Sequence, residues 1–299
     1  MAPGEAGETV PAGEIPIVRR GAALVLASVL ALSLAALAPG SASSAGTTTA
    51  GARSSPATFH RPIISLGANR SNNWSGYNQG LLEQGGNKTF HQVSGDWTVP
   101  TASAHRHGEA EFSSTWVGIG GGCVDANCDL TDPSLIQTGT EQDVDASGHP
   151  SYSAWWEIIP IPSVPITTVH VRPGDHIHAA LSESPPGSEL WTIVLRDVTN
   201  GQSFTQTLPY LSTHATAEWI EETPVEIGTG APTGVAPLPN LSRVPFDLAR
   251  TNTARAGLKA SEEIQLADSQ GHVLATPSAP DRDVDGFNDC AYATACPAP

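Results

Sequence analysis

Two short segments carry polar residues whose surroundings make them candidates for chemistry. Gln137 sits in LIQTGTE, and Glu218, Glu221 and Glu222 sit in AEWIEE; both segments are flanked by apolar residues. If AEWIEE is a strand, Glu218 and Glu222 share a face with Ile220, while Trp219 and Glu221 take the other. A carboxylate on an apolar face is costly unless it has partners, and such groups are candidates for function. The residue types suit an acidic medium. Glutamine does not titrate, and a glutamate titrating near pH 4 stays partly ionised where histidine is already a cation. Taken alone, a charged edge strand explains the same residues.

Other clusters carry weaker signals. Alternate residues His105, His107, Glu109 and Glu111 of HRHGEAE would share one strand face and present metal ligands, but a solvated polar loop is the favoured reading. In DRDVDGFND, Asp281, Asp283, Asp285 and Gly286 match the opening of a calcium loop. Tyr292 stands where the closing glutamate belongs, which excludes a full EF-hand and favours an acidic turn. No GxSxG elbow, HExxH pair or Walker loop is present, so neither metal nor cofactor is expected.

The elements that must position these residues are short strands. Gly76–Leu82, Phe90–Val99, Ser114–Ile119, Tyr152–Ile158, Ile166–Val171, His176–Leu181, Leu190–Asp197 and Ser203–Leu208 read as strands between turn signals, with Asn200-Gly201 turning a hairpin. No stretch has the period of a long amphipathic helix. The chain has 29 glycines and 25 prolines, which favours turns, and an all-β sandwich or barrel follows.

Arg19 and Arg20 precede an apolar run to Ala38 and small residues to Ala45, the pattern of a signal peptide over residues 1–45; the run is long for one, and an uncleaved anchor is the alternative. Residues 46–70 are rich in Ser, Thr, Ala and Gly and read as a linker or short pro-segment, leaving 71–299 as the folded domain. The four cysteines lie in two close pairs, Cys123/Cys128 and Cys290/Cys296, whose spacings are not those of structural zinc. With export, two local disulfides are expected. Acids outnumber Lys and Arg 30 to 14, for a formal charge of −16, which argues against nucleic acid. Lys88 and Lys259 are the only lysines, so little positive self-repulsion builds up when carboxylates neutralise at low pH.

An ordered set of segments changes how Gln137 and Glu222 read. NWSGY (Asn73–Tyr77), DWTVP (Asp96–Pro100), WVGIGG (Trp116–Gly121), LIQTGTE (Leu135–Glu141), YSAWWEIIP (Tyr152–Pro160), VHVRPGDHIHAAL (Val169–Leu181), LRDVTNGQ (Leu195–Gln202) and AEWIEETP (Ala217–Pro224) together resemble the glutamic peptidases, the eqolisin family, over residue 71 to the end. The resemblance implies an antiparallel β-sandwich of two large sheets with a concave substrate groove. It implies that Gln137 and Glu222 are the catalytic pair and that Trp116, Trp155, Glu157 and Glu141 line the groove. Gly120 departs from the acid that fungal members carry after WVGI. The expectation is a secreted, monomeric, acid-active endopeptidase, free of the membrane after signal cleavage, with proteins or peptides as partners. A carbohydrate-binding sandwich, or a glycoside hydrolase using Glu157 and Glu222, is the alternative; protein digestion in acid separates them.

Overall fold

The computed structural model describes residues 57–227 and 232–299; the expected signal peptide and the start of the 46–70 stretch lie outside the described residues. Helix is confined, among the described residues, to one short 3-10 turn, Ala260–Glu262. The strands run antiparallel in two layers of one hydrogen-bonded path. The back layer orders Ser203–Pro209, Leu190–Asp197, His176–Glu183, Gln92–Thr98, Val244–Thr251, Phe287–Ala291 and Val273–Pro277. The front layer orders Trp74–Gly80, Thr216–Glu222, Ser114–Gly120, Leu135–Val144, Pro150–Ile158 and Val164–Pro165. Glu263–Ala267 joins them, pairing with Val273–Pro277 on one side and Trp74–Gly80 on the other.

The two layers bury different patterns. In the back layer, His176–Glu183 and Leu190–Asp197 alternate buried with more open positions, the period-2 signature of a half-covered sheet. In the front layer, every residue of Trp74–Gly80, Ser114–Gly120 and Thr216–Glu222 is buried. One face of these strands sends Tyr77, Val117, Ile119 and Trp219 into the inter-sheet core with Trp97, Ile177, Leu181 and Ile193. Trp219 fits because Gly95 opposes it: a Cβ there would lie 2.7 Å from the indole. The opposite face holds a second apolar cluster of Trp74, Trp116, Leu135, Trp155 and Ile220, joined by Ile63 from the N-terminal segment.

Two expectations change here. Ile166–Val171 is not a strand; Ile166, Val169 and Val171 are apolar because a loop turns them into the core. The stretch up to residue 70 is not an open linker from residue 57 onward. Ala57–Phe59 pairs with Val225–Ile227, and the Ile63 and Ile64 amides donate to Gly121 O and Asn73 Oδ1 at 2.8 and 2.7 Å.

Candidate active site

The site is built on the outer face of the front layer. Register places Glu222 opposite both Trp74 and Ser114, and Ser114 opposite Glu141. Four residues along, Glu218 lies opposite Gly118, Gly118 opposite Gln137, and Gln137 opposite Glu157. Positions two apart share a face, so Glu218, Ile220, Glu222, Trp116, Gln137, Glu141, Trp155 and Glu157 all project the same way. Gly118 and Gly139 clear the space for Trp116; a Cβ on either would come within 2.7 and 2.5 Å of it.

The three glutamates of one strand have different surroundings. Glu222 is fully buried and accepts from Trp116 Nε1 at 2.9 Å, His60 Nδ1 at 3.0 Å and the Arg61 amide at 3.3 Å. Glu221 points the other way, into the core, where Thr115 Oγ1 donates to it at 2.6 Å; burial holds its carboxyl well above the usual range. Glu218 shares the face of Glu222, but both its oxygens are buried without a hydrogen-bond partner and burial raises it well above the usual range too. Both are protonated acids at low pH.

Gln137 Nε2 donates to Glu157 at 2.7 Å, while its Oε1 is buried without a partner. Burial, assisted by the charge of Glu222 and opposed by His60, pushes Glu157 up to about 7. Trp155 anchors the wall by donating from Nε1 to Ser114 Oγ at 3.0 Å. The structure thus brings together Gln137, Glu157, Trp155, Trp116, Glu222 and Glu141, and leaves Glu221 out.

Sequence reasoning missed His60. Its imidazole stacks on Trp155 at 3.8 Å between centroids, bonds Glu222, and reaches 3.9 Å from Glu141. Burial would push it down, but Glu222 first, then Glu157 and Glu141, outweigh this and raise it to about 9. The only local signal was an apolar island, FHRPII, after a Ser/Thr-rich stretch.

The other motifs lie apart from this cluster. His105 stacks on Tyr292 and bonds Asn240, and Glu111 accepts the His105 and Arg106 amides, so HRHGEAE forms a self-bonded loop. In DRDVDGFND, Asp281 and Asp285 gather with Asp247, and Arg255 pairs with Asp283 and Asp285. Both disulfides form as expected, Cys123–Cys128 and Cys290–Cys296. Gly120 has φ +93°, and a Cβ there would lie 2.2 Å from Ser134 O, so no acid fits this backbone.

No curated protein sequence matches the chain. Among solved structures, scytalido-glutamic peptidase bound to a peptide-based transition-state analogue superposes with TM-score 0.57 at 20% identity, covering 74% of this chain and 98% of that one. SCP-B, an eqolisin-family member in complex with the tripeptide Ala-Ile-His, gives TM-score 0.53 at 18% identity, with coverages of 74% and 98%. These likenesses establish the eqolisin β-sandwich as the fold. Residues 72–285 match the sequence profile of the Peptidase A4 family, and the chain, with its Gln and Glu on one sheet face, belongs to that family of peptidases.

Proposed function

We propose that the chain is an exported, monomeric endopeptidase that works on proteins or peptides in acid, with Glu222 and Gln137 as its catalytic pair. The contrast among the three glutamates carries this reading: only Glu222 combines a groove-facing position with three donors to its carboxylate. Ionised Glu222 takes a proton from water, whose oxygen bonds to the scissile carbonyl carbon. In this reading Gln137 Oε1, which has no partner in the protein, accepts from that water. Below about pH 7 Glu157 is neutral and a weaker acceptor, which frees Gln137 Nε2 for the developing oxyanion. As the intermediate collapses, the C–N bond breaks and Glu222 returns its proton to the leaving nitrogen. Digestion of casein in acid, resistant to an aspartic-protease inhibitor, is the expected result. Losing one oxyanion donor costs roughly 10²–10³ in kcat, so Gln137→Ala is expected to fall by that factor. A folded Gln137→Ala protein with undiminished kcat removes glutamine from the mechanism.

The N-terminal segment belongs to this reading as a pro-segment. Substrate must reach Glu222, yet His60 and Arg61 occupy its carboxylate and His60 covers Trp155. A buried hydrogen bond to a charged group contributes about 1.5–3 kcal/mol, so losing it is expected to raise the open population about 10- to 100-fold. His60→Ala should therefore raise hydrolysis of a short peptide by the uncleaved chain, with mass spectrometry confirming that the N-terminus is intact. Equal rates for wild type and variant would mean that the segment is not what limits access.

A further inference from the structure

At the far end of the strand that carries Glu222, a second cluster of side chains converges, separate from the residues assigned above to peptide hydrolysis. His91 precedes Gln92–Thr98, Glu183 ends His176–Glu183, and His214 lies just before Thr216–Glu222. One nitrogen from each imidazole and one carboxylate oxygen all lie within 4.8 Å of one another. His91 Nδ1 and His214 Nε2 stand 2.6 and 3.0 Å from the same oxygen of Glu183.

The arrangement is held in place from outside. Thr89 Oγ1 bonds His91 Nε2 at 3.0 Å, which aims the other ring nitrogen at Glu183. His214 is gripped between two rings, stacked on Trp191 at 5.5 Å and lying 4.5 Å from His91. The Glu183 carboxylate accepts the Gly187 and Glu189 amides at 2.8 and 2.5 Å. Main-chain bonds from Glu183 to His91 O and from Phe90 to His214 O, at 2.8 and 3.0 Å, fix the three backbones relative to one another. His214 itself is held at φ +57°, a left-handed conformation that a non-glycine residue adopts only when its surroundings require it. The Glu183 side chain is wholly buried, while those of His91 and His214 are 26% and 15% exposed, so the cluster lies just below the surface.

We propose that His91, Glu183 and His214 form a binding site for one divalent transition-metal ion, with zinc the ion that the donor set fits. Two imidazoles and one carboxylate from three separate segments form a recurrent zinc ligand set, with a fourth position left to water at the open side. Zinc bonds its nitrogen and oxygen ligands at about 2.0–2.2 Å, so a tetrahedral set spaces donor atoms about 3.3 Å apart. The two nitrogen–oxygen separations, 2.6 and 3.0 Å, need open by less than about 1 Å. Ordered outer partners of the kind Thr89 supplies are what orient metal-binding histidines elsewhere. Bound there, the ion would fasten the start of one back-layer strand and the end of another to the chain entering the Glu222 strand.

The test uses the untagged full-length chain, stripped with a chelator and titrated with Zn²⁺ at neutral pH by calorimetry. The expected result is one saturable ion per chain. At about a hundred times its Kd, the ion should raise Tm by about 5 °C or more. In the double variant His91→Gln, His214→Gln, whose side chains still donate to Glu183, the affinity should fall at least 30-fold. No saturable binding by the wild type, or binding unchanged in the double variant, overturns the site and leaves a hydrogen-bonded clasp. Should the variant fail to fold, imidazole ¹⁵N spectra of the wild type decide. Shifts at His91 and His214 on adding Zn²⁺ support the site, and shifts confined to other histidines, such as His176 and His178 beside Asp96, overturn it.

Discussion

Glu222→Gln is expected to lower kcat by about 10³-fold or more, within the range that a positioned general acid–base residue contributes. The substitution keeps the shape of the side chain and an oxygen that can accept from Trp116. It removes the capacity to take and return a proton, and it leaves the Arg61 amide without its acceptor. The informative controls are Glu218→Gln and Glu221→Gln. Burial holds both carboxyls well above their usual range, so in acid each is already a neutral group that glutamine imitates. Activity within a few-fold of the parent is expected for both. All three are best compared in the His60→Ala background with a short peptide, so that occupancy of the groove does not mask the chemistry. An active, folded Glu222→Gln protein, or an inactive Glu221→Gln one, moves the base to another residue.

The second large effect concerns pH and stability. Burial and the neighbouring Glu141 push Asp143 up to about 8, and burial pushes Glu157 and Asp289 each up to about 7. In the unfolded chain such groups ionise near pH 4, so between about pH 4 and pH 7–8 the folded state holds more protons. Stability then falls as pH rises. A carboxyl raised from 4.5 to about 7, as Glu157 is, corresponds to about 3 kcal/mol present in acid and absent at neutral pH. His60 has the same sign in a later window: raised to about 9, its contribution is complete below its unfolded value of 6.5 and is lost as pH rises through 9. Tm followed by circular dichroism is expected to drop by more than about 10 °C between pH 4 and pH 8. Glu221→Gln should flatten that slope by removing one buried acid from the balance. A Tm that is level or rising over this window contradicts the assignment of buried, protonated carboxyls.

The parts of this molecule that were legible in the sequence are those encoded locally. HIHAAL alternates because one face of a back-layer strand stays partly open, and LWTIVL does so for the same reason. AEWIEE gave correct facing for Glu218, Glu221 and Glu222, because a strand's period is fixed by its geometry. Gln137 and Glu222 became distinguishable from ordinary strand residues only through the ordered motifs around them. What stayed hidden depends on long-range contact. His60 meets Glu222 across 162 residues, and no local pattern announces such a meeting. The convergence of His91, Glu183 and His214 is hidden likewise, since each belongs to a different strand end. Ile166–Val171 misled because a core-facing loop and a buried strand share the same apolar composition.

The strand Glu263–Ala267, which closes one layer onto the other, also determines when the molecule can fold. Until it emerges, Trp74–Gly80 has a bare edge, because Glu263 and Ile264 pair with Tyr77 and Gly76 nearly the whole domain away. Contacts of such sequence separation make for slow folding and expose unpaired edges meanwhile. The edge of the layer that carries Glu222 is therefore paired late, after most of the chain has been synthesised.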